Sequence, residues 1–233
     1  MNPPSRQILI LGIGNVLWAD EGFGVRCVEA LHRQYVFAEN VHLMDGGTQG
    51  IYLVQHVQAA DVLVVFDAID YGLEGGTLKL IQDDDVPSFM GAKKMSLHQT
   101  GFQEVLSMSQ LLGDYPRHLL LVGVQPVELE DYGGSLRPAV KAQIQPAIAA
   151  AIDYLDKLGI PAQKREQALP AGEGLSPPAL DIHAYEAERP ATETAWRLGD
   201  PRVLQDPAVR FEPKPVDLGE NPRSFHVDSR RDD

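Results

Sequence analysis

Glu21, Asp67 and His98 are the side chains whose types and placement suit joint chemistry. Each follows an apolar run that reads as a β-strand. Glu21 sits in the loop after Ile8-Leu9-Ile10-Leu11-Gly12, and Asp67 closes Val62-Leu63-Val64-Val65-Phe66. His98 lies in Ser96-Leu97-His98-Gln99-Thr100-Gly101, downstream of Thr77-Leu78-Lys79-Leu80-Ile81. In an open α/β sheet the carboxyl ends of the strands share one edge, and ligands bind there. Two carboxylates and an imidazole make a mixed oxygen and nitrogen set suited to a divalent transition metal, with positions left open for water or substrate. Taken singly, each residue also has a plain structural reading. A Glu opening a helix favours the positive end of the macrodipole, and an Asp ending a strand is a common turn or cap residue.

The elements that must position these residues alternate along the first 160 positions. Residues 7–12 read as a strand and 21–35 as a helix with Val25, Val28 and Leu31 in its apolar stripe. Residues 41–45 read as a strand, 49–58 as a helix, and 61–67 as a strand apolar enough to be covered on both faces. Gly75-Gly76 then introduces a short strand over 77–81, suited to antiparallel pairing at an edge. Residues 101–112 read as a helix, 118–124 as a buried strand, and 138–158 as one long closing helix with Ile144, Ile148 and Ile152 at spacings of four. The alternation predicts a three-layer α/β sandwich: a mostly parallel, twisted sheet of about five strands with helices on both faces.

Composition shifts after Gly159. Residues 161–233 hold 10 of the 17 prolines, and only 13 of these 73 positions are Leu, Ile, Val or Phe. So little apolar surface does not offset the entropy of ordering a chain. The domain is therefore expected over 1–160, with 161–233 a proline-rich, disordered extension. Within it, residues 194–216 carry enough apolar side chains to serve as an extended docking segment.

The whole chain has 20 Lys+Arg against 33 Asp+Glu, a formal net charge of −13 and a pI of about 4.9. That balance offers no electrostatic footprint for nucleic acid or an anionic membrane surface. One cysteine, Cys27, excludes an internal disulfide, which suits the cytoplasm. It falls in the first helical stripe and reads as a small buried apolar residue. The opening residues hold no basic segment followed by an apolar core of roughly 7–15 residues, so no secretory signal is expected. No run reaches the roughly 18 apolar residues of a membrane helix, so no membrane insertion is expected.

The first loop runs Gly12-Ile13-Gly14-Asn15-Val16-Leu17-Trp18-Ala19-Asp20-Glu21-Gly22-Phe23-Gly24-Val25. A dinucleotide fingerprint would need a third glycine where Leu17 stands, so nucleotide binding is not indicated. Gly12 and Gly14 instead allow a tight turn off the strand, and Gly22 and Gly24 let the helix start approach the sheet. This loop, with Asp45-Gly46-Gly47-Thr48, Phe66-Asp67-Ala68-Ile69, Ser96-Leu97-His98-Gln99 and Leu121-Val122-Gly123-Val124-Gln125-Pro126, closely resembles the hydrogenase maturation proteases over residues 7–158.

That family removes a C-terminal extension from the large subunit of nickel–iron hydrogenases. The resemblance implies that Glu21, Asp67 and His98 bind nickel already inserted in the substrate and are the catalytic positions. It implies a partner, the precursor of the large subunit, and nickel presented by that precursor. It also implies a substrate-recognition role for Asp45, whose Asp-Gly-Gly-Thr context is equally a turn signal. Asp20 reads as a helix N-cap. The other histidines, 32, 42, 56, 118, 183 and 226, show no ligand-pair spacing.

The expected chemistry is metal-dependent peptide hydrolysis with a water activated by or beside the nickel. An aspartic dyad would need two carboxylates sharing a proton, whereas a metal between them keeps both ionised. No residue is identified as the general base. A non-catalytic nickel-sensing chaperone with the same three ligands therefore remains the alternative.

Overall fold

Four apolar runs pair in parallel to make the body of the sheet. They are β1 (Ile8–Ile13), β3 (Val41–Gly47), β4 (Val62–Ala68) and β6 (His118–Val124). β5 (Leu78–Gln82) adds antiparallel to β6, so the strand order is β3-β1-β4-β6-β5. The computed structural model describes residues 6–86 and 97–189, apart from the side chains of residues 97–101 and 171. β4 is buried along its whole length, as a central strand covered on both faces must be.

Alternate residues of the strands feed two cores. Ile8, Ile10, Val62, Val64, Phe66, Leu120 and Val122 pack under α1 (Phe23–Gln34) and α5 (Ile144–Lys157). Leu9, Leu11, Leu63, Val65, Leu119 and Leu121 pack under α2 (Val54–Gln58) and α3 (Leu97–Leu112). The expected three-layer α/β architecture is therefore the observed one. Cys27 is fully buried on the α1 face, and burial pushes its thiol pKa well up.

Two elements depart from expectation. The closing helix is two pieces, α4 (Pro138–Lys141) and α5, because Pro146 lacks an N–H and its ring displaces the carbonyl four residues back. In the first turn of α5 that missing donor costs nothing. The second concerns Asp20, which does not cap α1. The N-cap is Gly22, with no side-chain cap bond. Asp20 is instead wholly buried. Its Oδ2 accepts from the main-chain N–H groups of Val127 (2.8 Å) and Glu128 (2.9 Å), and its Oδ1 from that of Arg137 (2.6 Å). One carboxylate so ties the loop after β6 to the loop after β1.

The compact unit continues to Arg189, past the boundary expected at 160. A strap over 163–189 lies on the outer face of α1. It begins as β7 (Gln163–Lys164), which pairs antiparallel with β2 (Tyr35–Val36). Arg33 donates to the Leu169 carbonyl (2.7 Å) and pairs with Asp181 (2.8 Å). The Glu29 carboxylate accepts from Leu175 N–H (2.9 Å) and Ser176 N–H (3.1 Å), and Arg26 donates to the Leu180 carbonyl. The Arg26 guanidinium also lies over the Tyr185 ring, 5.4 Å from its centroid. Leu175 and Ile182 add to the α1 core. Directed polar contacts thus order a segment whose apolar content alone predicts none. The remaining residues of the expected extension, 190–233, including the proposed docking stretch, lie outside the described residues.

The close approach of α1 to the sheet is a first testable feature. A Cβ on Gly24 would collide with the carbonyl oxygens of Phe66 and Ile13. These are main-chain atoms inside the sheet and have nowhere to move. Gly24→Ala is expected to cost about 3 kcal/mol, the upper end of overpacking penalties, and to lower the melting temperature by about 6–12 °C in a domain of this size. Calorimetry checks it; an unchanged midpoint contradicts the close packing.

The strap should also respond to acid. Burial raises the Asp131 pKa, but bonds from Arg137 (2.8 Å) and Arg189 (3.0 Å) outweigh this and hold it below the ordinary 3.8. Burial likewise raises Glu186, but Lys141 (2.7 Å) and Ser135 (2.8 Å) hold it below 4.5. A carboxylate with a depressed folded pKa contributes stability above its unfolded value and loses it as pH falls through the folded one. The end of the strap should therefore stay closed near pH 6 and open below about pH 4. Limited proteolysis with an acid-active protease should then cut first between residues 175 and 189, and equal resistance at both pH values argues against the linkage.

Candidate metal and peptide site

The carboxyl edge of the parallel strands carries the predicted residues, but each arrives by a different route. Asp67 is the penultimate residue of β4 and wholly buried. Its alternation with Leu63 and Val65 puts it on the α2/α3 face. Its Oδ1 accepts from the Ala68 N–H (2.8 Å). Glu21 lies in a single 3-10 turn, Ala19–Gly22, that precedes α1 and packs against β4. The first turn of α1 rests on the Phe66 carbonyl through Gly24. Glu21 and Asp67 therefore share one corner of the edge.

The backbone around Glu21 is tightly wound. Gly14 has φ +134°, and a Cβ there would collide with the Glu21 carbonyl, which accepts from the Asn15 N–H (3.2 Å). Ala19 has φ +41°, unusual for a residue with a side chain. Strain of this kind persists only when the surroundings over-determine it. Here the buried Asp20 and an edge-on contact between the Trp18 and Tyr132 rings (5.2 Å between centroids) hold the loop.

His98 reaches the edge differently from the sequence argument. β5 is antiparallel, so its carboxyl end points to the opposite edge of the sheet. His98 belongs instead to the first turn of α3, which begins at Leu97 rather than at 101. α3 leads into the amino end of β6. Its 16 residues span about 24 Å, so its start falls at the carboxyl edge. The imidazole itself is outside the described side chains. Among the described residues, no three His, Cys, Asp or Glu side chains cluster as metal ligands.

Asp45 occupies the other face. It alternates with Val41 and Leu43, which belong to the α1 core. Its Oδ1 accepts from the Gly47 N–H (2.9 Å), the turn role that Asp-Gly-Gly predicts. Its Oδ2 accepts from the Ser176 hydroxyl of the strap (2.9 Å), a contact no local pattern signals.

Beside Asp67 stands a group that sequence reasoning missed. Asp67, Gly123 and Lys79 form one lateral row across β4, β6 and β5. Gly123 has no side chain, and the Tyr71 hydroxyl fills the space a Cβ would take. The Lys79 ammonium lies 5.1 Å from the centroid of the Tyr71 ring. Burial, and secondarily the Asp67 charge, push the Tyr71 phenol pKa well up, so it stays neutral. Gln125 fixes the turn by accepting from Tyr71 N–H (2.7 Å) and Leu73 N–H (3.1 Å) and donating to Asp70 (3.0 Å). The glycine facing an Asp across two strands was the available signal, legible only once the register is known.

Chemically, the edge offers buried and half-buried carboxylates, a neutral phenol and a nearby cation. The comparisons agree with this reading of the fold. A family model described as hydrogenase maturation protease matches residues 25–154. A hydrogenase expression/formation protein HupD of Thiocapsa roseopersicina is 62% identical over 204 residues, covering 88% of this chain and 92% of that protein. The hydrogenase 2 maturation protease of Escherichia coli is 40% identical over 161 residues, 69% of this chain and 97% of that one. The solved structure of the hydrogenase maturating endopeptidase HybD from E. coli superposes with a TM-score of 0.65 at 39% identity, covering 68% of this chain and 98% of that chain. The chain belongs to the hydrogenase maturation protease family.

Proposed function

We propose that this protein is an endopeptidase that removes the C-terminal extension of the large-subunit precursor of a nickel–iron hydrogenase. It engages nickel already carried by that precursor through Glu21, Asp67 and His98. The observation that carries the reading is that the turn bearing Glu21 packs against β4, the strand that ends with Asp67, and that the first turn of α3 opens on the same edge. Hard carboxylate oxygens and a borderline imidazole suit nickel while leaving coordination positions to the substrate.

Holding the nickel fixes the attached chain relative to the edge, which lowers the entropic part of the barrier to attack on one peptide bond. The nickel supplies Lewis acidity to a water or to the scissile carbonyl. Asp67 keeps one oxygen on the Ala68 N–H, so its orientation is set before substrate arrives.

His98→Ala and Asp67→Asn are expected to abolish shortening of a nickel-loaded precursor, by at least about 100-fold given what positioning contributes. Circular dichroism should show the fold retained, and mass spectrometry of the precursor reads the cleavage. Normal cleavage by either folded variant removes that residue from the mechanism. Wild-type protein that binds the loaded precursor without shortening it would instead favour the nickel-sensing chaperone.

Precursor prepared without nickel, with stray metal chelated, should resist cleavage. Equal rates on loaded and metal-free precursor would sink recognition through the metal.

A further inference from the structure

Three loops at the carboxyl edge are laced into one surface. The loop after β1 meets the loop after β6 where the Gly133 N–H donates to the Leu17 carbonyl (2.8 Å) and the Trp18 and Tyr132 rings touch edge-on. The Asp20 N–H donates to the Glu128 carbonyl (3.1 Å), and the Asp20 carboxylate accepts from Val127 and Glu128. The turn after β4 joins them through Gln125, which accepts from the Leu73 N–H (3.1 Å). It also joins them through Gly75, where a Cβ would collide with the Val127 side chain.

This surface is apolar where it faces outward. Leu17, Trp18, Leu73, Val127 and Tyr132 are all exposed, Val127 by 56% and Tyr132 by 65%. One exposed apolar side chain is ordinary, but five on three joined loops make a patch, and apolar patches with a polar rim mark protein contacts. The rim here is acidic. Glu74 and Glu130 are exposed and Glu128 is half-buried, and among the described residues none of the three pairs with a cation. Arg137 and Arg189 are both held by Asp131 (2.8 and 3.0 Å).

The patch is continuous with the candidate site. The Glu21 N–H donates to the Trp18 carbonyl (2.9 Å), and the Asp67 end of β4 leads into the turn that carries Leu73. We infer that this patch docks the folded body of the large-subunit precursor, beside the start of its C-terminal extension, through an apolar surface rimmed by Lys or Arg. The inference rests on the endopeptidase reading above. A chain whose nickel and scissile bond meet Glu21 and Asp67 must lay the residues around them on the flanking loops, and these are the loops so laced. An acidic rim steers a basic counterpart into place and rejects partners of like charge. It also disfavours a second copy of this chain, because a two-fold interface sets the patch against itself and brings the same carboxylates together.

The test measures binding of nickel-loaded precursor to the full-length protein by calorimetry, alongside KM and kcat for its shortening. Leu73→Ser and Val127→Ser leave Glu21 and Asp67 in place. Each should weaken binding and raise KM about tenfold with kcat unchanged, as expected when an apolar side chain is lost from ground-state contacts. Leu111→Ser, exposed at the far end of α3 and so at the opposite edge, should change neither. Unaltered binding and KM in both patch variants, with circular dichroism showing them folded, overturns the inference, as does an equal effect of Leu111→Ser.

The rim provides a readout that needs no apolar substitution. Raising salt from about 50 to about 300 mM should weaken wild-type binding, and the double variant Glu74→Gln, Glu130→Gln should lose most of that dependence. A dependence kept in full by the double variant contradicts the basic counterpart. A dimer of the free protein that Val127→Ser dissolves would make a second copy the occupant and overturns the inference equally. Wild-type protein that binds the precursor without shortening it counts against the endopeptidase reading, and the binding series then decides the docking surface by itself. Shortening with an unchanged KM in the patch variants sinks the docking inference alone.

Discussion

The contact on which the site depends is that of α1 with the main chain of β1 and β4 at Gly12 and Gly24. Side chains at either position would force the helix away: a Cβ on Gly24 would meet the Phe66 and Ile13 carbonyl oxygens fixed in the sheet, and one on Gly12 would meet the Gly24 carbonyl and the Val28 side chain of α1. With α1 seated so low, the segment after β1 must turn back on itself within a few residues. Gly14 takes a conformation few other residues adopt, and Ala19 is held in the left-handed region. The outcome is that Glu21 is presented beside the end of β4, where Asp67 is buried. Packing density at a helix start thereby sets the position of a polar group several residues away.

The same geometry explains Asp20. A loop wound this tightly leaves main-chain donors on the neighbouring loop without sheet partners, and buried donors must be satisfied. Asp20 accepts three of them from Val127, Glu128 and Arg137. An ionised carboxylate surrounded by main-chain N–H groups forms stronger bonds than a neutral acceptor does. The two loops that flank the site are therefore joined by three hydrogen bonds to one side chain. Adjacent residues of one acidic pair differ in burial: Asp20 is wholly buried and joins the loops, and Glu21 is half-buried at the edge.

Residues 163–189 show how a segment poor in apolar residues can still order. Its fixed points are charged and polar side chains of α1, namely Arg26, Glu29 and Arg33, each meeting main-chain groups or Asp181. Isolated surface ion pairs contribute little. These differ because Asp181 and Asp131 are nearly buried and most of the bonds involve main-chain atoms that would otherwise lack partners. Leu175 and Ile182 supply the modest apolar anchor. Midway along the strap Ser176 bonds Asp45, so a segment outside the motifs of the first 160 residues reaches the edge strand.

Much of this was legible in the sequence. Near-continuous apolar runs separated by helical stripes specify a parallel three-layer sheet, since both faces of its strands must be covered. The glycines of the first loop mark a turn and a close approach, and the buried Cys27 follows from its place in the α1 stripe. The carboxyl-edge positions of Glu21 and Asp67 also follow, because strand ends of a parallel sheet share an edge. What the sequence by itself did not determine depends on distance in space rather than along the chain. His98 comes to the edge at the start of α3 instead of at a strand end, and only the pairing register places Gly123, Tyr71 and Lys79 beside Asp67. Local propensity made Asp20 a cap and residues 161–189 a loose extension. Tertiary structure decided otherwise, because hydrogen-bond partners more than 100 residues away outweigh preferences that extend only one turn.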